Sequence, residues 1–227
     1  MCTLTWQRDP EGALSVHFNR DERKTRPIAE PPILCEEDGV SFLSPRDPLG
    51  GGTWMLANEL GLVVCLLNRW ELKGRSIDHP QSRGQLVWSL ASLKSPDQVA
   101  DRLLDLHDYQ GFTLVVFSKK GDRSFEWDGV KLQSMEVPDF LTSSSFQFEE
   151  VFRARMESYR SHPRGAEFHA SPLEMPSAYT VRMNRPDAQT WSRSTIEVTD
   201  RVRWHYLAEQ PDLAGDPKET RVEMRLV

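Results

Sequence analysis

The polar stretch His17–Arg23 continues an alternating strand pattern into a cluster of charges, and no other stretch constrains the fold as strongly. Leu14, Val16 and Phe18 alternate with polar residues, and this period of two predicts a β-strand with one buried face. The pattern then runs into Asn19-Arg20-Asp21-Glu22, whereas a turn usually uses Gly, Asn or Ser. On composition alone an ion-paired turn is favoured, and a functional site at the strand end is the alternative.

The beginning of the chain supplies a candidate nucleophile. Removal of Met1 would leave Cys2 with a thiol and a free α-amine in one residue. The amine titrates near ~7.7–8.0 and the thiol near ~8.5, so the amine can serve as the base for its own nucleophile. Residues 3–6 predict a strand, which would hold Cys2 at the end of a sheet. The alternative is a buried cysteine without chemistry.

Several short motifs resemble one known family. Met1-Cys2, Phe18-Asn19-Arg20-Asp21-Glu22 and Arg26-Pro27 are similar to the NRDE-motif family, also called the transport-and-Golgi-organisation type. Further matches are Gly51-Gly52-Thr53-Trp54, Asn58, Gly61, Asn68 and Ser82-Arg83-Gly84. The resemblance implies the fold of N-terminal-nucleophile hydrolases of the penicillin-acylase and bile-salt-hydrolase type. That fold is an α+β, four-layer αββα sandwich with mostly antiparallel sheets, here expected as one domain over residues 1–227.

The resemblance also implies roles for individual residues. Cys2 would be the nucleophile, and Asp21 would hydrogen-bond its α-ammonium and orient it. Arg20 and Arg193 would lower the pKa of the thiol by nearby positive charge. Asn68 and a backbone N–H would hold the oxyanion. From the residues alone, Asn68 is better interpreted as a strand terminator, and Arg193 is equally well a solvent-facing strand residue, so both alternatives stay open.

Four more residues are candidates for contact with a substrate: Asn19, Glu22, Trp54 and Ser143. Trp54 is also a reasonable core residue. Thr142-Ser143 stands where the hydrolase relatives have a second asparagine. This departure from the family pattern leaves open a degenerate hydrolase whose site only supports folding.

Composition excludes several classes of protein. The net charge is −6 and Lys and Arg are dispersed, which argues against a nucleic-acid partner. No run reaches the ~18–20 apolar residues that cross a membrane, and Gln7 and Arg8 arrive too early for a signal peptide. Three cysteines without paired spacing suit a reducing compartment, so we expect a cytoplasmic protein. Its oligomeric state is left open.

The leading functional hypothesis is a cysteine amidohydrolase that cleaves a C–N amide bond of a small or lipid-like substrate. It needs no metal and no cofactor, and His162 and His169 lack a third ligand for a metal site. The alternative, implied by the resemblance, is a non-enzymatic protein that binds or moves haem or a lipid on the same scaffold. The chain contains no Cys-x-x-Cys-His haem attachment motif.

The patterns also predict where the main elements lie. Helices are predicted over residues 82–93, from a capping box at 95–98 as far as His107, and after residues 141–146. A long loop is predicted over residues 163–177. The predicted strands are 2–7, 13–19, 53–57, 62–67, 112–118, 124–127, 130–135, 179–183, 190–199, 202–207 and 220–226.

Overall fold

The computed structural model describes residues 1–70, 80–162, 164–170 and 176–227. Within these ranges the chain is dominated by strands, with four short to medium α-helices. The strands are β1 (Cys2–Arg8), β2 (Leu14–Arg23), β3 (Glu30–Glu37), β4 (Val40–Arg46), β5 (Met55–Asn58), β6 (Val63–Asn68), β7 (Phe112–Ser118), β8 (Gly121–Trp127), β9 (Leu132–Met135), β10 (Phe140–Ser143), β11 (Ala188–Val198), β12 (Arg201–Ala208) and β13 (Lys218–Arg225). The helices are α1 (Arg83–Trp88), α2 (Pro96–Arg102), α3 (Phe148–Ser161) and α4 (Ala166–Ala170).

The strands form two sheets. One is six-stranded with the order β10-β1-β2-β11-β12-β13, and the other is seven-stranded with the order β3-β4-β5-β6-β7-β8-β9. The pairings along the second sheet are antiparallel, as are those of β1 with β2 and β10 and of β2 with β11. The prediction of an α+β fold with mostly antiparallel sheets is therefore confirmed.

The chain divides into two compact units. The first unit comprises Met1–Ile28, Pro138–Thr199 and Arg203–Arg221, and the second comprises Ala29–Val137, Asp200–Val202 and Val222–Val227. The assignment of residues 1–227 to one domain stays a prediction.

The first unit carries the candidate nucleophile on its sheet. The alternation that predicted β2 is real, because Leu14, Val16 and Phe18 are all buried. On this sheet α3 packs on β10, and α4 packs on β2 and β11. Helix α3 buries one stripe, Val151, Arg155 and Tyr159, at the i, i+4 and i+8 spacing of a helix face.

The second unit explains two of the family motifs. A Cβ on Gly52 would lie 2.3 Å from the backbone carbon of Gly84, so the two chain segments can approach only where this residue has no side chain. The Thr53 N–H donates to the Gly84 carbonyl at 3.1 Å across the same contact. The predicted capping box at α2 is also present, because the Gln98 N–H donates to Ser95 Oγ at 3.3 Å.

Four predictions of secondary structure are wrong. The helix predicted over residues 82–93 covers only Arg83–Trp88, and turns follow it. Residues 179–183 are bends and irregular chain rather than a strand. Helix α4 lies inside the loop predicted over 163–177, of which residues 163 and 171–175 fall outside the described ranges. The helix predicted to reach His107 ends at Arg102, followed by a 3-10 turn at Leu103–Asp105. In the described part of the chain, no helix has the length and apolar character needed to cross a membrane.

Candidate active site

Cys2 is the first residue of β1 and lies between two neighbouring strands. It pairs with Arg20 on β2 and with Ser143 on β10, and only 7% of its surface is exposed. Its backbone N–H donates to Ser143 Oγ at 3.0 Å. Ser143 therefore touches the backbone nitrogen that would become the α-amine if Met1 were removed.

Strand register places the charged residues of β2 on opposite faces of the sheet. Directly paired residues share a face and successive residues alternate, so Cys2, Arg20 and Ser192 lie on one face. Asp21 pairs with Thr190 and lies on the other face. The register shifts between Thr190 and Ser192, and this bulge allows both pairings on one strand.

The Asp21 carboxylate is fully occupied on its own face. Its Oδ1 accepts from Thr190 Oγ1 at 2.7 Å, and its Oδ2 accepts from Arg155 Nη2 at 3.1 Å. Arg155 comes from α3, has no exposed side-chain surface, and also donates through Nη1 to Thr3 Oγ1 at 2.7 Å and Thr142 Oγ1 at 3.1 Å. This buried ion pair ties α3 to the strands that carry the candidate nucleophile.

The N-terminal amine hydrogen-bonds to the backbone of Asp21 rather than to its carboxylate. The Met1 ammonium donates to the Asp21 carbonyl at 2.9 Å, and the Asp21 N–H donates to the Met1 carbonyl at 2.8 Å. The ammonium is therefore held beside Cys2 by two hydrogen bonds between the backbones of Met1 and Asp21.

Burial raises the pKa of the Cys2 thiol above its ordinary value. The N-terminal ammonium opposes this rise, the Asp21 carboxylate adds to it, and the Arg20 guanidinium and a hydrogen bond from the Asp21 N–H oppose it more weakly. Arg20 acts on the thiol pKa in the expected direction, but burial outweighs the nearby positive charges in the chain that retains Met1. The roles of Arg20 and Arg193 at the site stay predictions.

Arg193 has a different charge partner from the one expected. It pairs in register with Asn19, on the face opposite Cys2, and its Nε donates to Glu209 Oε1 at 2.6 Å. Arg182 Nη2 donates to the other oxygen of the same carboxylate at 2.6 Å. Arg193 thus helps to neutralise a buried glutamate. In the described part of the chain, no hydrogen bond or ion pair links Arg193 to the Cys2 thiol, so its effect on the thiol pKa stays a prediction.

The family model described as Transport and Golgi organisation 2 matches residues 1–154. The chain belongs to the Transport and Golgi organisation 2 family. No curated protein sequence matches it significantly.

The fold is similar to those of solved N-terminal-nucleophile hydrolases. A C2A mutant of the conjugated bile acid hydrolase from Clostridium perfringens is 12% identical, with a TM-score of 0.58 over 99% of this chain and 92% of that one. The Caenorhabditis elegans orthologue of N-acylethanolamine-hydrolyzing acid amidase is also 12% identical, with a TM-score of 0.57 over 86% of this chain and 92% of that one. The predicted fold type is confirmed. At so low a sequence identity, the structural similarity shows a shared fold and does not show a shared function.

Two residues of the family's Asn-Arg-Asp-Glu motif have structural contacts of their own. Asn19 is fully buried, and its Nδ2 donates to the carbonyls of His169 and Val181, each at 3.0 Å. Glu22 Oε2 lies 3.6 Å from nitrogens of both Arg20 and Arg26. A substrate contact by Asn19 would break these bonds, whereas Glu22 is partly exposed.

Asn68 and Trp54 belong to the second unit of this family member. Asn68 is the last residue of β6 and is half-buried, as expected for a strand end. Trp54 is buried, and its carbonyl accepts from the Leu66 N–H at 2.8 Å. The oxyanion role of Asn68 and the substrate contact of Trp54 stay predictions.

Two histidines stack beside the motif, His17 on β2 itself and His169 on α4. The rings of His17 and His169 lie 5.8 Å apart, and His169 Nδ1 hydrogen-bonds Asn19 Oδ1 at 2.9 Å. His17 Nδ1 hydrogen-bonds Thr195 Oγ1 at 3.1 Å, while its Nε2 is buried with no hydrogen-bond partner among the described residues. Burial lowers the pKa of His17 to about 4 and that of His169 well below its ordinary value.

We expect the protein to lose stability in mild acid, because burial lowers the pKa values of both histidines. His17 has a pKa of about 4 when folded and about 6.5 when unfolded. The unfolded chain therefore binds more protons between these values, and the free energy of unfolding should fall with pH from about 6.5 to about 4. The two pKa values correspond to about 3 kcal/mol for His17. Urea titrations at several pH values measure the slope.

A matched pair of variants separates His17 from general acid effects. His17→Gln should flatten the slope, with His169 supplying the remainder, and His107→Gln should leave it unchanged because His107 is exposed. An unchanged slope in His17→Gln would contradict this assignment.

Sequence reasoning missed several groups around Cys2. Arg155 lies on the apolar stripe of α3, and a charge there was a usable signal for a buried partner. Tyr206 was not identified either: it is buried, bonded to Ser192 and close enough to feel the charge of Arg20. The sequence pattern of the strand that contains Tyr206 does not indicate these contacts. Among the described residues, no group of three or more His, Cys, Asp or Glu side chains could hold a metal ion.

Proposed function

We propose that the protein is a cysteine amidohydrolase whose nucleophile is Cys2 after removal of Met1. The observation that carries the proposal is the geometry around Cys2: its backbone nitrogen donates to Ser143 Oγ at 3.0 Å, and it pairs in register with Arg20 on the neighbouring strand. Against the effect of burial, the Arg20 guanidinium and the Asp21 N–H both lower the pKa of the Cys2 thiol. These groups favour the thiolate, which is the nucleophilic form of cysteine. Family membership and the hydrolase fold support the same chemistry.

The proton balance of the reaction needs only Cys2 and water. The neutral α-amine takes the thiol proton, and the thiolate adds to the amide carbon. The C–N bond then breaks as the ammonium returns the proton to the leaving amine. Water, deprotonated by the same amine, hydrolyses the thioester and releases the acid. Ser143, which now accepts a hydrogen bond from this nitrogen, would orient the amine.

The charged neighbours of Cys2 would have separate roles. Arg20 shares the face of Cys2 and would stabilise the thiolate. The Asp21 carboxylate is engaged by Arg155 and Thr190, so it would act by fixing the end of β2 rather than by transferring a proton.

The substrate class proposed is an amide that joins an acyl group to a small polar amine. The solved relatives are a conjugated bile acid hydrolase and an N-acylethanolamine-hydrolyzing acid amidase. The second name describes an amide bond of that kind.

Activity is expected only in protein that lacks Met1. While Met1 is present, the Cys2 nitrogen is part of a peptide bond and cannot accept a proton. Intact mass should show a product lighter by one methionine residue, and hydrolysis of acyl amides should follow the fraction so processed.

A second preparation tests whether the free amine itself is required. One alanine inserted before Cys2 keeps its nitrogen in an amide even after Met1 is lost, and this variant should be inactive. Equal activity in processed protein, Met1-retaining protein and the insertion variant would overturn the mechanism.

The haem- or lipid-binding alternative stays a prediction on the same scaffold. It expects no hydrolysis from processed protein and a change in haem absorbance on titration. The amidohydrolase proposal expects the reverse result in both measurements.

A further inference from the structure

The side chain of Met1 occupies a small apolar pocket beside Cys2. Met1 is 8% exposed and clusters with Met183 and Ala188, which are 0% and 3% exposed. Ser144 Oγ lies 3.6 Å from the Met1 sulfur and forms part of the wall. Removal of Met1 would open this space next to the new N-terminus.

The pocket is held in place by the same residues that surround Asp21. Thr190 exchanges two hydrogen bonds with Met183: its N–H donates to the Met183 carbonyl at 2.8 Å, and its Oγ1 accepts from the Met183 N–H at 2.8 Å. Thr190 Oγ1 also donates to Asp21 at 2.7 Å. Hydrogen bonds through Thr190 therefore connect the pocket to the end of β2. A preformed binding site requires rigid support of this kind.

Met1 is, in chemical terms, an acyl group attached to the nitrogen of Cys2. Its carbonyl oxygen accepts from the Asp21 N–H at 2.8 Å, and its chain extends from that carbonyl into the pocket. In an acyl-enzyme the acyl carbon is attached to the sulfur of the same Cys2. Nitrogen and sulfur of one cysteine reach a common carbonyl carbon through a five-membered ring, so the two acyl positions nearly coincide.

We infer that the pocket formed by Met183, Ala188 and Ser144 holds the acyl group of the substrate. The inference rests on the proposed function and adds the identity of the acyl half. The Asp21 N–H, freed from the Met1 carbonyl, donates to the oxyanion that forms when the thiolate adds to the substrate carbonyl. The C–N bond breaks as the amine leaves with a proton, and water later releases the acid from the sulfur.

The dimensions of Met1 define the preferred acyl group. The methionyl side chain extends the acyl group to about six chain atoms counted from the carbonyl carbon, so hexanoyl is its closest plain acyl equivalent once the α-ammonium is set aside. Each methylene buried in the pocket should raise kcat/KM about fourfold. The kcat/KM of hexanoyl amides should therefore exceed that of acetyl amides by on the order of a hundredfold.

The test uses processed protein and a series of fluorogenic aminocoumarin amides with acyl groups from acetyl to dodecanoyl. Ala188→Leu should fill the pocket and reduce the hexanoyl-to-acetyl ratio of kcat/KM at least tenfold. Met183→Ala should enlarge the pocket and move the optimum to longer chains. Ala214→Leu, the same change at an exposed residue, should leave the ratio unchanged. Ratios that change in neither pocket variant would overturn the inference.

A second measurement separates this inference from the proposed function. Acylation of Cys2 by nitrophenyl esters of acetate and hexanoate, followed by intact mass, examines the acyl pocket without C–N cleavage. A hexanoate preference lost in Ala188→Leu, without hydrolysis of any amide, would support the pocket and reject the amidohydrolase. Hydrolysis of amides with no chain-length preference would reject the pocket alone. Neither acylation nor hydrolysis would reject both.

Discussion

Replacing Cys2 by alanine in protein that lacks Met1 is expected to reduce kcat for amide hydrolysis by at least about a thousandfold. The change removes the atom that attacks the carbonyl and leaves the α-amine and the pocket in place. Steady-state hydrolysis of an acyl amide, with intact mass used to verify the N-terminus, measures the effect. Cys2→Ser should keep the same N-terminus and a weak residual rate, because a hydroxyl is a poorer nucleophile than a thiolate at neutral pH.

The other cysteine thiols provide the controls for this variant. Cys35 is partly exposed on β3, the edge strand of the second sheet, and Cys35→Ala should hydrolyse the amide at the normal rate. A thiol-directed probe should label Cys2 of the processed protein faster than Cys35. Residual activity of Cys2→Ala within tenfold of the parent would remove Cys2 from the mechanism.

The strand that carries the candidate site could be predicted from sequence, but the face on which each side chain lies could not. The alternation at Leu14, Val16 and Phe18 is a local signal, and β2 begins as expected and extends through the charged motif. The orientation of Asp21 depends on pairing with β11 across a bulge at Thr190. That register arises between segments distant in sequence, so no local pattern encodes it.

Strand β10 is a second case in which the structure depends on strand pairing rather than on a local sequence pattern. Its residues Thr142 and Ser143 lack an apolar alternation, and their pairing with β1 makes them a strand. The sequence identified Ser143 as a departure from the asparagine of the hydrolase relatives. The structure gives it a specific contact, because its hydroxyl accepts from the Cys2 nitrogen.

Arg155 illustrates how a helix pattern can be right while its most informative residue is missed. The apolar spacing predicts α3, but a charge on the buried stripe is tolerable only with a partner of opposite charge. That partner, Asp21, lies 134 residues away in the chain. A buried arginine on a helix is therefore a reason to search the motifs of distant strands for its carboxylate.

Arg155→Ala is expected to lower the free energy of unfolding by about 3–5 kcal/mol, because it leaves the Asp21 carboxylate buried without its counter-ion. Arg155 and Asp21 have no exposed side-chain surface, so water cannot replace the lost contact. Arg153→Ala, the same change at an exposed position of α3, should cost less than about 0.5 kcal/mol. Urea unfolding of both variants and of the double variant Asp21→Leu/Arg155→Met measures the difference. Because the double variant removes both charges, it should be more stable than Arg155→Ala. Equal stability of Arg155→Ala and Arg153→Ala would mean that this ion pair does not hold α3 to the strands around Cys2.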